Sequence, residues 1–303
     1  MRPSLVAPLA SARILLASAA LVLLGCDDGG LAAAAAGAAG AAGGGAPATS
    51  GGADSGGSGG GAPAQPGSFE LLFRDDFDTL DSARWQLMTH SWDSNLALFS
   101  PRAAVVEAGQ LVISLLPAPE GTVDDAGAIK KFFGAEVRST DTLTYGRVRA
   151  RIKFASGPAV VSSLVTIYTP WPADDWNELD IECLGETGKV QLNTMVYLGA
   201  PPAPPVTTSV KPTASPTIAA VGFDPSADFH DYEIEWTPQG ARFSIDGAEV
   251  RSWTEHIDRM KLPQNVLLTI WASSSAAWAG AVTDATGSAK AYYDWVELYT
   301  YQP

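Results

Sequence analysis

Cysteine is nearly missing from this chain. It carries two, Cys26 and Cys183, which excludes a disulfide framework. Histidine is almost as scarce. His90, His230 and His256 lie near no nucleophile-elbow pattern, and no Cys/His metal cluster or phosphate-binding Gly loop appears. Positive charge is in deficit, with a formal net charge of −14, which argues against nucleic acid as a partner and is compatible with a neutral or cationic polymer. Long helical periodicity and internal repeats are also lacking. What remains is a set of short alternating segments separated by turn residues, the signature of an all-β sandwich or barrel.

The chain divides by composition. Residues 1–26 read as a targeting segment: Arg2 and Arg13 supply positive charge, and the apolar run ends at Leu23-Leu24-Gly25-Cys26. That run is too short for a good transmembrane helix, and Leu-Leu-Gly-Cys resembles the bacterial lipoprotein cleavage box, whose Cys becomes lipidated. The expectation is an exported protein, periplasmic or at the cell surface, anchored to a membrane through Cys26. Residues 27–67 are Ala, Gly, Ser and Pro with almost no large apolar side chains, so they predict a flexible tether. Residues 68–303 suffice for one large all-β domain, expected to be a monomer.

Within that domain, Tyr145 to Phe154 alternates cleanly. Val148, Ala150, Ile152 and Phe154 are expected inside, and Arg147, Arg149, Arg151 and Lys153 on a solvated face. Val160 to Tyr168 is more continuously apolar, as suits a central strand. Asp231–Trp236, Ala241–Ile245 and Glu249–Trp253 read as a meander, with Asp246-Gly247 marking a hairpin. Residues 199–218 form a Pro-rich loop.

The informative stretch is Trp176-Asn177-Glu178-Leu179-Asp180-Ile181-Glu182-Cys183-Leu184-Gly185. In a strand, successive side chains point to opposite faces, so Glu178, Asp180 and Glu182 share one face while Leu179, Ile181 and Cys183 bury the other. Cys183 then reads as a small buried hydrophobe. Three acids in a row raise one another's pKa, an arrangement that stability alone would not select. Gly185-Glu186-Thr187-Gly188 turns the chain into Lys189–Tyr197, which places Gln191 and Asn193 beside the acids. Paired carboxylates suit glycoside cleavage, where one protonates the leaving oxygen and the other acts across the anomeric carbon, ~5–5.5 Å away in retaining enzymes and ~6.5–9.5 Å in inverting ones. Glu178 and Glu182 have Cα atoms about 13 Å apart on a straight strand, and two long side chains on a twisted sheet close most of that gap.

Glu178-Leu179-Asp180-Ile181-Glu182 resembles the Glu-x-Asp-x-Glu strand of glycoside hydrolase family 16, in the form found in bacterial lichenases (endo-β-1,3-1,4-glucanases) and xyloglucan transglycosylases. Gly134–Thr140, Lys189–Asn193, Phe229–Trp236 and Tyr293–Val296 resemble further segments of that family, so the likeness covers nearly all of residues 70–302. It implies a β-jelly-roll sandwich of two antiparallel sheets with a concave substrate cleft. It also implies a retaining endo-β-glucanase acting on β-1,3/1,4-linked glucan, with Glu178 as nucleophile, Glu182 as general acid/base and Asp180 modulating both. Substrate contacts are implied for Asn95, Glu136, Arg138, Trp176, Gln191, Asn193, Trp271 and Trp278, while Trp85, Trp236, Trp253 and Trp295 take core or structural places. No cofactor is implied for catalysis. A structural calcium is implied on the convex side, at Asp294 with the backbone near Gly109. Departures leave the fine specificity open: Leu268-Thr269-Ile270-Trp271 stands where lichenases carry Met-Asn-Leu-Trp, Met195 replaces an expected tyrosine, and Trp278-Ala279-Gly280 is closer to fungal cell-wall transglycosylases. Transglycosylation is the alternative enzyme reading. A non-catalytic sugar-binding jelly roll would have lost a catalytic Glu, and both are present.

Overall fold

A computed structural model describes residues 67–169, 176–198 and 213–303. The targeting segment with Cys26, the tether through residue 66 and residues 199–212 of the Pro-rich stretch lie outside the described residues. Short alternating or apolar runs become strands β1 (Ser68–Asp75), β2 (Trp85–Leu87), β3 (Ala97–Phe99), β4 (Ala104–Glu107), β5 (Gln110–Ser114), β6 (Leu116–Pro117), β7 (Phe132–Leu143), β8 (Gly146–Lys153) and β9 (Val160–Ile167). The chain continues through β10 (Asn177–Leu184), β11 (Lys189–Val196), β12 (Thr213–Ala214), β13 (Thr217–Ile218), β14 (His230–Thr237), β15 (Gly240–Ile245), β16 (Ala248–Trp253), β17 (Gln264–Ala272) and β18 (Lys290–Gln302). One short helix, α1 (Ala276–Ala279), follows β17.

Two sheets pack face to face as a jelly-roll sandwich. One runs β16-β15-β14-β8-β18-β5-β4, with β1 added on β18. The other runs β12-β11-β10-β9-β17-β7-β2, with β13 on β11 and both β3 and β6 on β7. Pairing is antiparallel apart from β3 on β7. The alternation in β8 resolves as its sequence requires: Val148, Ala150 and Ile152 join Tyr232, Ile234, Val296 and Leu298 in the core between the sheets. The basic row Arg147, Arg149 and Arg151 does point outward, but the expectation of a simply solvated face needs correction. β14 is paired beside β8 so that Asp231, Glu233 and Glu235 stand opposite Arg151, Arg149 and Arg147. The arginines are half-buried in a ladder of ion pairs, Arg147–Glu235 at 2.9 Å, Arg149–Glu233 at 3.1 Å and Arg151–Asp231 at 2.9 Å. Trp295 lies under one of these cations, Arg149, and under Arg74 of β1, so its role is structural on the outer face.

The other sheet is buried on both faces at its centre. Every residue of β9, β10 and β17 is buried, and β9 is central, between β10 and β17. The hairpin between β10 and β11 closes Leu184 onto Lys189 across Gly185–Gly188, with Gly188 at the positive φ of 64° that the turn needs. Gly134 is required for a different reason. A Cβ there would lie 2.5 Å from the Ile270 carbonyl, so only glycine lets β7 approach β17 this closely.

Cys183 is fully buried in the core, and burial pushes its thiol up to about 12. In a Cys26→Ser chain the native protein is therefore expected to resist a thiol reagent under conditions that modify the urea-unfolded chain completely. Modification of the native protein at the unfolded rate would mean that β10 does not pack as described.

Candidate active site

Because Leu179, Ile181 and Cys183 fill the core, Glu178, Asp180 and Glu182 emerge on the outer face of their sheet. They are nevertheless 0%, 1% and 1% exposed. Two apolar clusters on that same face account for this. At the Glu182 end, Trp92, Phe99, Val161, Leu184, Trp271 and Ala279 pack together, with Trp278 against them. At the Glu178 end the cluster is Val165, Ile167, Trp176, Tyr197 and Leu267. The acids lie between two greasy shoulders.

Desolvation penalises a charged carboxylate, and a like charge nearby penalises it further. Burial, followed by the charge of Asp180, lifts Glu182 well above the usual carboxylate range. Glu178 is lifted in the same way by burial, then by the charge and hydrogen bonding of Asp180, and then by the charges of Glu182 and Glu136. Burial pushes Asp180 up to about 7, although Glu178 and the Asn193 amide lie close enough to favour its charged form. None of the three acids has a donor at full hydrogen-bond geometry among the described residues. Each of the three therefore ionises later than an ordinary carboxylate, and the triplet titrates as a unit.

Strand register sets out the rest of the floor. Glu182 stands opposite Gln191 on β11 and Ser163 on β9; Ser163 stands opposite Thr269 on β17, and Thr269 opposite Glu136 on β7. The next row runs Asn193, Asp180, Val165, Leu267, Arg138. At about 4.8 Å per strand, Glu136 lies roughly 14 Å from Glu182, a few sugar rings away along the floor. The groove beside Glu178 is lined by His90, Trp92, Glu136, Arg138, Ser163, Val165, Ile167, Thr169, Leu267, Thr269 and Trp271.

Of the expected substrate residues, Glu136, Arg138 and Trp271 line this groove. Gln191 and Asn193 stand beside the acids. The Gln191 carbonyl accepts from Trp278 Nε1 at 3.0 Å, which ties α1 to the strand opposite Glu182, and Asn193 Oδ1 accepts from the Thr194 and Ser215 amides. Trp176 is buried in the cluster at the Glu178 end. Asn95 is not brought to the groove: it is fully buried, its Oδ1 accepting from the Ala97 amide, and it bridges to Ser273. His90, Trp92, Ser163, Val165, Ile167, Thr169, Leu267 and Thr269 were not expected here. A buried cation holds the wall that carries His90 and Trp92. Lys130 donates to the carbonyls of Trp92 and Asn95, both at 2.8 Å, and pairs with Asp124 at 3.0 Å.

The calcium reading finds little support in the side chains. Asp294 follows Tyr293, which pairs with Leu111 of β5, close in sequence to Gly109; however, its carboxylate is 3.8 Å from Arg151 Nε, and among the described residues no three His, Cys, Asp or Glu groups converge on a metal position. A calcium ion would have to share its carboxylate with a guanidinium, so these residues do not fit it well.

Residues 108–297 match the family described as Glycosyl hydrolases family 16. A β-glucanase of Fibrobacter succinogenes is 32% identical over 181 residues, covering 57% of this chain and 48% of its own length. A β-glucanase of Bacillus subtilis is 28% identical over 229 residues, covering 74% and 84%. The chain thus spans about half the length of the Fibrobacter relative. A prokaryotic β-1,3-1,4-glucanase (lichenase) from a mouse hindgut metagenome superposes with a TM-score of 0.61 at 30% identity, over 75% of this chain and 97% of that one. A laminarinase catalytic domain from Thermotoga maritima shares the fold at 19% identity, with a TM-score of 0.61.

The raised pKa of Asp180 has a stability consequence with a definite sign. The unfolded acid ionises from about pH 4 upward, while the folded one stays protonated until about 7. Folding stability therefore falls as pH rises through that window. Asp180→Asn is expected to remove Asp180's share of the slope, on the order of 4 kcal/mol between about pH 4 and about pH 7, while Glu178 and Glu182, raised in the same direction, keep the remainder. Urea melts at the two pH values measure this, and parallel pH dependence in both proteins would refute it.

Proposed function

The chain belongs to family 16 of the glycosyl hydrolases, and from that premise we propose that it is a retaining endo-β-glucanase acting on β-1,3/1,4-linked glucan. One observation carries the reading: three carboxylates share one face of a strand and are kept from water by apolar clusters at both ends. An ordinary surface strand would leave such acids solvated.

In this reading Glu178 attacks the anomeric carbon while Glu182 protonates the departing oxygen; water then releases the glycosyl-enzyme, with Glu182 now acting as base. The electrostatics suit the division of labour. Burial and the charge of Asp180 keep Glu182 protonated, as an acid must be. Glu178 is also costly to ionise. The positive charge that develops at the anomeric carbon favours its carboxylate, so the interaction is strongest in the transition state. Asp180, between them, can share a proton with either. Trp278, half-buried at the Glu182 end, offers an apolar face for a sugar ring, with the buried Trp271 packed behind it. The dryness of the acids' surroundings supports a second reading, transfer of the glycosyl group to a sugar acceptor in place of water.

Glu178→Ala and Glu182→Ala are each expected to lower turnover of mixed-linkage glucan by roughly three orders of magnitude. Proton NMR of the first products should show the β-anomer; initial α-product would overturn the retaining mechanism. Added acceptor oligosaccharide separates the readings, since a transglycosylase makes longer products where a hydrolase makes new reducing ends. Lichenan, laminarin, xyloglucan, agarose and carrageenan in parallel test the linkage.

From residues 1–26 we also infer export and membrane anchoring of a monomeric enzyme through lipidated Cys26. Labelled palmitate should enter the bacterially expressed chain and not its Cys26→Ser variant; equal labelling would refute the anchor.

A further inference from the structure

His90 has no place in the scheme above, yet it lines the same groove as Glu178. Its ring is fixed on two sides. Phe99 packs edge-on at 5.3 Å between centroids, and Nε2 lies 3.1 Å from Glu136 Oε2. Arg138 Nη2 is farther from Nε2, at 3.4 Å. The nearer and charged partner decides the tautomer, so Nε2 carries the proton and donates to Glu136. Nδ1 is then the free end of the ring. It is buried and has no hydrogen-bond partner among the described residues.

A buried polar atom left without a partner is rare and destabilising, and on a groove-lining residue a ligand hydroxyl can supply the missing partner. Glu136 offers no comparable opening. Its Oε1 accepts from Arg138 Nε at 2.9 Å and also from Nη2, while Oε2 is held by His90. Burial alone would raise its pKa, but His90 and Arg138 outweigh that and keep it below the usual carboxylate range. Glu136 is thus an ionised anchor with both oxygens engaged, 4% exposed behind the ring.

We propose that His90 is a sugar-binding residue of the groove, accepting a hydroxyl proton at Nδ1, and that Glu136 is a positioning residue acting through it. The inference rests on the glucanase reading and refines it, because it places a hydroxyl-specific contact about three strands from the acid/base. His90 and Glu178 line one cavity, so a sugar seated on Glu178 lies beside the residue that carries Nδ1.

Two amides separate the two ring nitrogens: Asn places a polar atom near the Nδ1 position, and Gln near the Nε2 position. In a Glu178→Gln background, which stops turnover, calorimetry with laminaritetraose and with a mixed-linkage glucan tetrasaccharide gives affinity directly. His90→Gln and His90→Phe are expected to weaken binding about five- to tenfold, and His90→Asn to keep most of it. The opposite order, with Gln retained and Asn lost, would show that only the link to Glu136 matters and would overturn the proposal. Unfolding curves check each variant. Independently of mutation at His90, the ¹⁵N resonance of its Nδ1 must move when sugar is added; an unmoved resonance in a protein that binds sugar overturns the proposal by itself. If neither tetrasaccharide binds even with His90 intact, this inference and the glucanase reading fall together. Binding that is indifferent to His90 sinks this inference alone.

Discussion

Three carboxylates kept out of water on one strand are the constraint around which this fold is arranged. Left in an open sheet they would be hydrated and ordinary. Here Trp176, Tyr197 and Ile167 at one end, and Leu184, Val161 and Trp271 at the other, remove that hydration. The arrangement is unfavourable for folding, and the sandwich offsets it elsewhere, through a continuous core from Trp85 to Trp236 to Leu298. Burying β9, β10 and β17 on both faces is the same decision seen from the backbone. Strands fully paired on both sides give the acids a rigid base, tied together on the core side by a buried chain in which Thr166 donates to Gln264 and Gln264 donates to Asn177.

The two sheets handle charge in opposite ways. On the outer face of the sheet holding β8 and β14, each of Arg147, Arg149 and Arg151 meets an acid across the strand pair, and Glu235 is also held by Arg242. Those charges are mutually satisfied, and they are half-exposed, so each pair contributes little to stability by itself. On the cleft sheet the acids face one another without a cation beside them, while Glu136, with Arg138 and His90 at hand, is held ionised. Four buried acids on one sheet thus shift in opposite directions, Glu136 down and the other three up. The distinction comes from whether a cation stands within reach and owes little to depth of burial.

Legibility in the sequence followed the physics of alternation. β8 and β10 carry a strict period of two, and their faces, including the burial of Cys183 and the shared face of the acids, came out as read. β9 and β17 are buried on both faces and mix small polar with apolar residues on each, so their sequences hold no parity signal. Ser163, Val165, Ile167, Leu267 and Thr269 became visible as floor residues only once register placed them in rows with the acids. His90 and Trp92 precede the two-sided strands in an irregular segment with no period at all. Asn95 shows a different limit: its Oδ1 is engaged in its own turn, a local Asx-type bond that a likeness in residue type does not reveal. The arginine row was placed on the correct face, but its partners lie some 80 residues away in sequence, beyond any local pattern.

The Lys130 ammonium uses its donors on Trp92, Asn95 and Asp124, deep beneath the groove wall. A cation held on three sides is a rivet, and the segment it holds cannot drift while the rivet is in place. Related chains that keep this lysine and its aspartate inherit one wall position. For them, new sugar preferences come by exchanging the side chains that the wall displays, and re-siting the wall requires losing the buried pair first. A detail of hydrogen bonding thereby becomes a statement about evolutionary reach: the groove is free to change its lettering and slow to change its outline.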